Sequence, residues 1–175
     1  MSATQSKSYK ALVITVSDTR SSGVNKDTVG PQLMSILSDA GYETTENVIV
    51  PDDRKLISQA LIKAADELKI SLVVTTGGTG LSLRDVTPEA TLDVITREIP
   101  GFGECMRYEG SKNTKHAWLS RGIAGVRDRT LIINLPGSER GAVQSLESVM
   151  PVIHHALEII NGDTRECGKK MGEHD

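Results

Sequence analysis

The chain has 175 residues, 38% of them hydrophobic and 25% charged, which fits one globular domain with a substantial core. A net charge of −3 and an aromatic content of 3% argue against nucleic acid as a partner, whether through a basic footprint or through base stacking. Cys105 and Cys167 lack metal or redox spacing, no run reaches bilayer-spanning length, and MSATQSKSYK has no apolar signal core, so a cytoplasmic protein without membrane contact is expected.

Residues 1–9 are expected to be a flexible arm, 10–160 a single domain, and 161–175 a polar tail. Lys10–Val16, KALVITV, predicts the first strand. Ser17 and Asp18 open the polar loop SDTRSSG at its carboxy end, where open α/β sheets place ligands. Asp18 also suits a plain turn or cap. Asp27 or Thr28 would cap a helix reaching Ala40, with Val29, Leu33, Ile36 and Leu37 at helical spacing and Gly41 as its stop. Tyr42–Val50 predicts the second strand. Pro51-Asp52-Asp53 follows at once; Asp53 reads as the N-cap of a helix over Arg54–Leu68, which leaves Asp52 without a capping role.

Leu72–Thr76 is a short unbroken apolar and β-branched run, the pattern of a strand covered on both faces. It runs into Gly77-Gly78-Thr79-Gly80, a bend that can turn backbone N–H groups toward an anion. Asp85 follows, and Thr87-Pro88-Glu89 marks the start of a helix to about Glu98, with Thr87 as N-cap. The loop has neither the third glycine of a dinucleotide fingerprint nor the Gly-Lys-Ser/Thr of a Walker loop. Asp52 and Asp85 thus end neighbouring strands, and two such carboxylates can share a Mg²⁺ ion.

Pro100-Gly101 breaks the pattern, and a short helix is expected around Phe102–Tyr108 with Glu104 and Arg107 as a surface pair. His116 reads as structural or exposed. Ile123–Val126 and Thr130–Leu135 flank Arg127-Asp128-Arg129, a hairpin signal that makes one strand antiparallel. Pro136-Gly137-Ser138 is a second small-residue loop at a strand end, able to face the first across one cleft. The last helix carries Ala142, Leu146, Val149, Ile153, Leu157 and Ile160 at steps of three and four, as core or subunit interface, and Pro151 is expected to kink or split it. The order of elements predicts a three-layer α/β/α sandwich with a mostly parallel mixed sheet and one antiparallel hairpin strand.

No GxSxG elbow, Cys–His pairing or HExxH motif is legible, so no covalent nucleophile is expected. N–H donors for phosphate oxygens, carboxylates for Mg²⁺ and nearby Arg or Lys suit phosphoryl or nucleotidyl transfer between two bound substrates.

TTGGTGLSLRDVTPEAT, with VSDTRSSG before it and INLPGS after it, resembles the molybdopterin adenylyltransferases of molybdenum-cofactor synthesis, the MogA/MoaB-type family that includes the gephyrin G domain. PGFGE and LSR…AGVR match in order, so the resemblance runs from about Lys10 to Ile160. It implies Mg²⁺ as cofactor, ATP as adenylyl donor and molybdopterin as acceptor, with pyrophosphate as second product. Asp85 and Asp52 match the family's functional acids and would be catalytic and hold the metal. Thr76, Gly77, Gly78, Thr79 and Gly80 match its nucleotide loop; Ser17, Asp18, Ser120, Arg121, Pro136, Gly137 and Ser138 fall where the family builds the remaining substrate cleft. The resemblance further implies a homotrimer and a molybdate-insertion partner protein. A non-catalytic molybdopterin-binding or scaffold protein of the same fold is the alternative, and the presence of Asp85 favours the enzyme.

Overall fold

The computed structural model describes residues 8–162. β1 (Lys10–Val16) is buried from Ala11 onward. Ala11 and Val13 join one core cluster, Leu12, Ile14 and Val16 the other, so the unbroken apolar run serves two faces of a sheet. A short helix, α1 (Asp18–Ser21), leads to α2 (Val29–Asp39). Of the two candidate caps, Asp27 serves α2: its Oδ1 accepts from the N–H groups of Val29 and Gly30 at 3.1 and 3.2 Å.

The strand expected over Tyr42–Val50 is broken into β2 (Glu43–Thr44) and β3 (Val48–Val50), both parallel to β1. Ala11 faces Thr44 and Ile14 faces Val48, so the edge takes one residue more than β1 over that interval, a bulge. The cause lies outside the strand: Asn47 Nδ2 donates to Asp27 Oδ2 at 2.7 Å, drawing the chain out of register.

α3 (Arg54–Ile62) is capped by Asp53, whose Oδ1 accepts from Leu56 N at 2.9 Å, and it runs on as a π-helical turn over Lys63–Glu67. β4 (Leu72–Thr76) is buried throughout. α4 (Thr87–Leu92) stops short of Glu98, because β5 (Arg97–Glu98) joins the sheet instead and Thr96 N donates to Val126 O at 2.8 Å. Pro100 opens α5 (Pro100–Ser111), longer than the helix expected there; a fixed φ and a missing N–H cost nothing at that position. A 3₁₀ turn over Lys115–Leu119 precedes β6 (Ala124–Arg127) and β7 (Thr130–Leu135), the expected hairpin, with Asp128 at φ 49° in its turn. α6 (Glu139–Ile160) runs unsplit through Pro151, which lies on its exposed side.

The sheet order is β2-β1-β4-β7-β6-β5, with β3 following β2 along β1, and β6 alone runs against the rest. One face is covered by α2, α5 and α6, the other by α3 and α4. Leu33, Leu37, Leu146, Ile153 and Leu157 are fully buried, each contributing roughly 1.5–3 kcal/mol before chain entropy. The apolar stripe of α6 is therefore core of its own chain. Because β1, β3, β4 and β7 are parallel, the loops after them leave the same end of the sheet, and the site is built there.

Candidate active site

The bend after β4 is set by two glycines. Gly77 and Gly78 have φ of 105° and 65°, a region side chains disfavour. A Cβ on Gly77 would also strike the Val16 carbonyl at the end of β1, so β1 and the bend close up only around a bare backbone. Thr87, expected as N-cap, is the first residue of α4; its Oγ1 donates to Gly77 O at 2.9 Å and its N–H to Gly78 O at 3.1 Å. The loop after β7 meets the same bend. Gly77 N donates to Leu135 O at 3.2 Å, and a Cβ on Gly137 would lie 3.2 Å from Gly77 Cα.

Two cavities open on either side of this contact. One, of about 510 Å³, is polar and lined by Ser17, Arg20, Lys26, Asp52 and Gly77 among others. The second, of about 380 Å³, has a mainly apolar lining that includes Met106 and Leu119 and also takes in Thr79, Gly80, Ser120, Pro136 and Ser138. Gly78, Asp85 and Gly137 line both.

Asp52 and Asp85 thus face one polar cavity from separate segments. Asp52 Oδ2 accepts from Asp18 N at 2.8 Å, and Asp52 N donates to Asp18 Oδ1 at 3.0 Å. Burial pushes the Asp52 carboxyl above the ordinary carboxylate range; the Asp18 N–H opposes this, and the negative charges of Asp18 and Asp85 add to it. Asp85 Oδ2 accepts from Ser82 N at 2.9 Å, folding the loop back on itself. The second oxygens, Asp52 Oδ1 and Asp85 Oδ1, accept no hydrogen bond from the described residues. Oxygen donors that repel one another fit a hard divalent cation.

Three candidates stand behind the lining. Thr76 is fully buried and its hydroxyl donates to Pro136 O at 2.7 Å, tying the two bends together. Asp18 is held by Arg84, with Nη2 at 2.7 Å, and that guanidinium, aided by the Asp52 N–H, keeps the Asp18 carboxyl below the ordinary range. Arg121 clasps the glycine loop: Nε donates to Gly80 O at 2.7 Å, Nη2 to Asp85 O at 2.6 Å, and Nη1 pairs with Glu89.

Sequence reasoning missed several lining residues. Arg20 and Lys26 were legible only as basic residues in a polar loop. Arg107 does not pair with Glu104; its Nη1 donates to Gly122 O at 3.1 Å and it lines the second cavity. Asn134, read only as part of a strand, donates through Nδ2 to Thr75 and Thr91 hydroxyls at 3.1 and 2.9 Å beneath that cavity. A polar residue within the run TLIINL was the one available signal.

The fold and this rim define an open α/β protein whose two cavities lie past the carboxy ends of its parallel strands, where such folds place ligands. The family model described as a probable molybdopterin binding domain matches residues 12–155, and the chain belongs to that family. It is 44% identical over 160 residues to a molybdopterin adenylyltransferase of Helicobacter pylori J99, spanning 90% of this chain and 91% of that protein. The Escherichia coli K12 molybdopterin adenylyltransferase is 43% identical over 140 residues, 78% of this chain and 71% of that one. Among solved structures, the molybdopterin biosynthesis enzyme MoaB of Thermus thermophilus superposes with a TM-score of 0.84 at 45% identity, covering 88% of this chain and 97% of that one. Among the described residues no helix is long and apolar enough to cross a membrane.

Proposed function

We propose that this chain is a nucleotidyltransferase of molybdenum-cofactor synthesis that adenylylates molybdopterin with ATP and releases pyrophosphate. The observation that carries this reading is the shared wall of Gly78, Asp85 and Gly137. A polar cavity suited to a charged phosphate chain and a less polar one suited to a ring system touch there, so two substrates can meet end to end. Curated relatives over nine-tenths of the chain carry the name of this activity.

In the reaction an oxygen of the molybdopterin terminal phosphate forms a bond to the α-phosphorus of ATP, and pyrophosphate departs. The N–H groups of the two bends take up charge on the phosphate oxygens, positioned before the reaction by Thr76, Thr87 and Arg121. Asp52 and Asp85 would hold Mg²⁺, which when bound neutralises phosphate charge. No protein group need become covalently attached.

The direct test is pyrophosphate release with molybdopterin, ATP and Mg²⁺. Release that requires all three is expected, and binding of molybdopterin without any ATP use would refute the enzyme. Asp85→Asn should keep the fold and lower turnover by on the order of 100-fold or more, and near-normal turnover would remove Asp85 from the mechanism. A cytoplasmic homotrimer that delivers its product to a molybdate-insertion partner completes the proposal. The buried stripe of α6 belongs to its own core, and the exposed large apolar side chains available for association include Leu81, Leu83 and Trp118, with Val152 and Ile159 on the outer side of α6.

A further inference from the structure

We propose that Arg20 and Lys26 bind the β- and γ-phosphates of the nucleoside triphosphate and receive the departing pyrophosphate. This rests on the adenylyl-transfer reading above. Both side chains line the polar cavity and are the two basic members of its lining, facing a wall that carries Asp52 and Asp85. Lys26 is exposed and makes no hydrogen bond or ion pair with the described residues. Arg20 approaches Asp27 through Nε at 3.7 Å, and its guanidinium makes no hydrogen bond with the described residues, which leaves its N–H donors for a ligand.

Asp27 anchors Arg20 from a fixed position. Its carboxylate already accepts from Thr15 Oγ1 at 2.6 Å, Asn47 Nδ2 at 2.7 Å and the first N–H groups of α2. Asn25 closes the loop between the two cations: its N–H donates to Thr19 O at 2.9 Å and its Nδ2 to Thr19 Oγ1 at 3.2 Å. Arg20 and Lys26 are thereby presented to one cavity by a braced loop.

The chemistry calls for cations at that end. As the acceptor oxygen bonds to the α-phosphorus, the bond from that phosphorus to the α,β-bridging oxygen breaks. Its electron pair leaves on the bridging oxygen, so pyrophosphate gains a negative charge. A guanidinium and an ammonium stabilise that charge, beside the Mg²⁺ that Asp52 and Asp85 would hold. Solvated loop cations with no such role would leave ligand affinity unchanged.

Calorimetric titration of Mg-ATP, AMP and inorganic pyrophosphate into wild type and variants tests this. In Arg20→Ala/Lys26→Ala, Mg-ATP and pyrophosphate should weaken by at least about tenfold while AMP stays within about twofold. Arg20→Lys and Lys26→Arg should recover most of the loss, and their melting curves report whether the loop is intact. Equal weakening of all three ligands, or undiminished pyrophosphate binding, overturns the assignment alone. A wild-type chain that binds none of the three overturns the adenylyl-transfer reading and this assignment with it.

Discussion

Asp52 carries a mixed environment, since burial and two neighbouring acids raise its carboxyl while the Asp18 N–H and the Arg84 charge lower it. A raised Asp stays protonated to a higher pH, so in the metal-free chain the Asp52 carboxyl should titrate above the ordinary value of about 3.9 in a carboxyl NMR titration. Asp52→Asn should remove that titration together with most turnover; a titration at the ordinary value would refute the raised carboxyl. Asp27 behaves oppositely. Burial disfavours its charge, but the bonds from Thr15, Gly30 and Asn47 prevail and its carboxyl is lowered. A lowered Asp stabilises the fold above its unfolded pKa of about 3.9, and that contribution is lost as pH falls through its native value. Asp27→Ala should cost about 1–3 kcal/mol in urea denaturation at neutral pH, with the deficit shrinking as the medium is acidified. An unchanged midpoint would mean that Asn47 and Thr15 find other partners.

Among the elements, the bend after β4 and the bend after β7 have separate origins and one shared constraint. Gly77→Ala places a side chain at positive φ and against the Val16 carbonyl, and should destabilise by about 1–3 kcal/mol. Leu157→Ala, in the α6 core and well past the cavity-lining Ser145, should cost about 2–5 kcal/mol yet leave kcat unchanged in the folded fraction. The pattern of β4 and its glycines was legible because an apolar run ending in Gly-Gly has few other uses. The break at Asn47 was not, because it depends on Asp27 and Thr15, which lie in other segments. The helix assigned through Glu98 overran because nothing local in Arg97–Glu98 reveals a partner strand, and edge pairing is set by β6. Thr87 illustrates the same limit: a local capping preference yielded to a carbonyl presented by the glycine bend.

At the scale of the whole molecule, the acids were legible as strand-end residues, and parallel strands brought them to one rim. Lysines and arginines gave no such signal, since charged residues in loops are mostly solvated. Association is tested by light scattering: a three-chain mass is expected, with dissociation on Leu83→Glu/Trp118→Glu, and a monomeric wild type would refute the trimer. The wall shared by the two chambers carries Asp85 and two glycines, Gly78 and Gly137, from the bends that β4 and β7 bring together. A Cβ on Gly78 would strike the Thr87 hydroxyl and one on Gly137 would crowd Gly77, so this wall resists drift while the outer walls stay free to vary. On the proposed function, a descendant handling a different acceptor would arise by exchanging residues around Met106, Arg107 and Leu119, with the polar cavity carried over intact. This makes the scaffold a ready host for grafted acceptor specificities.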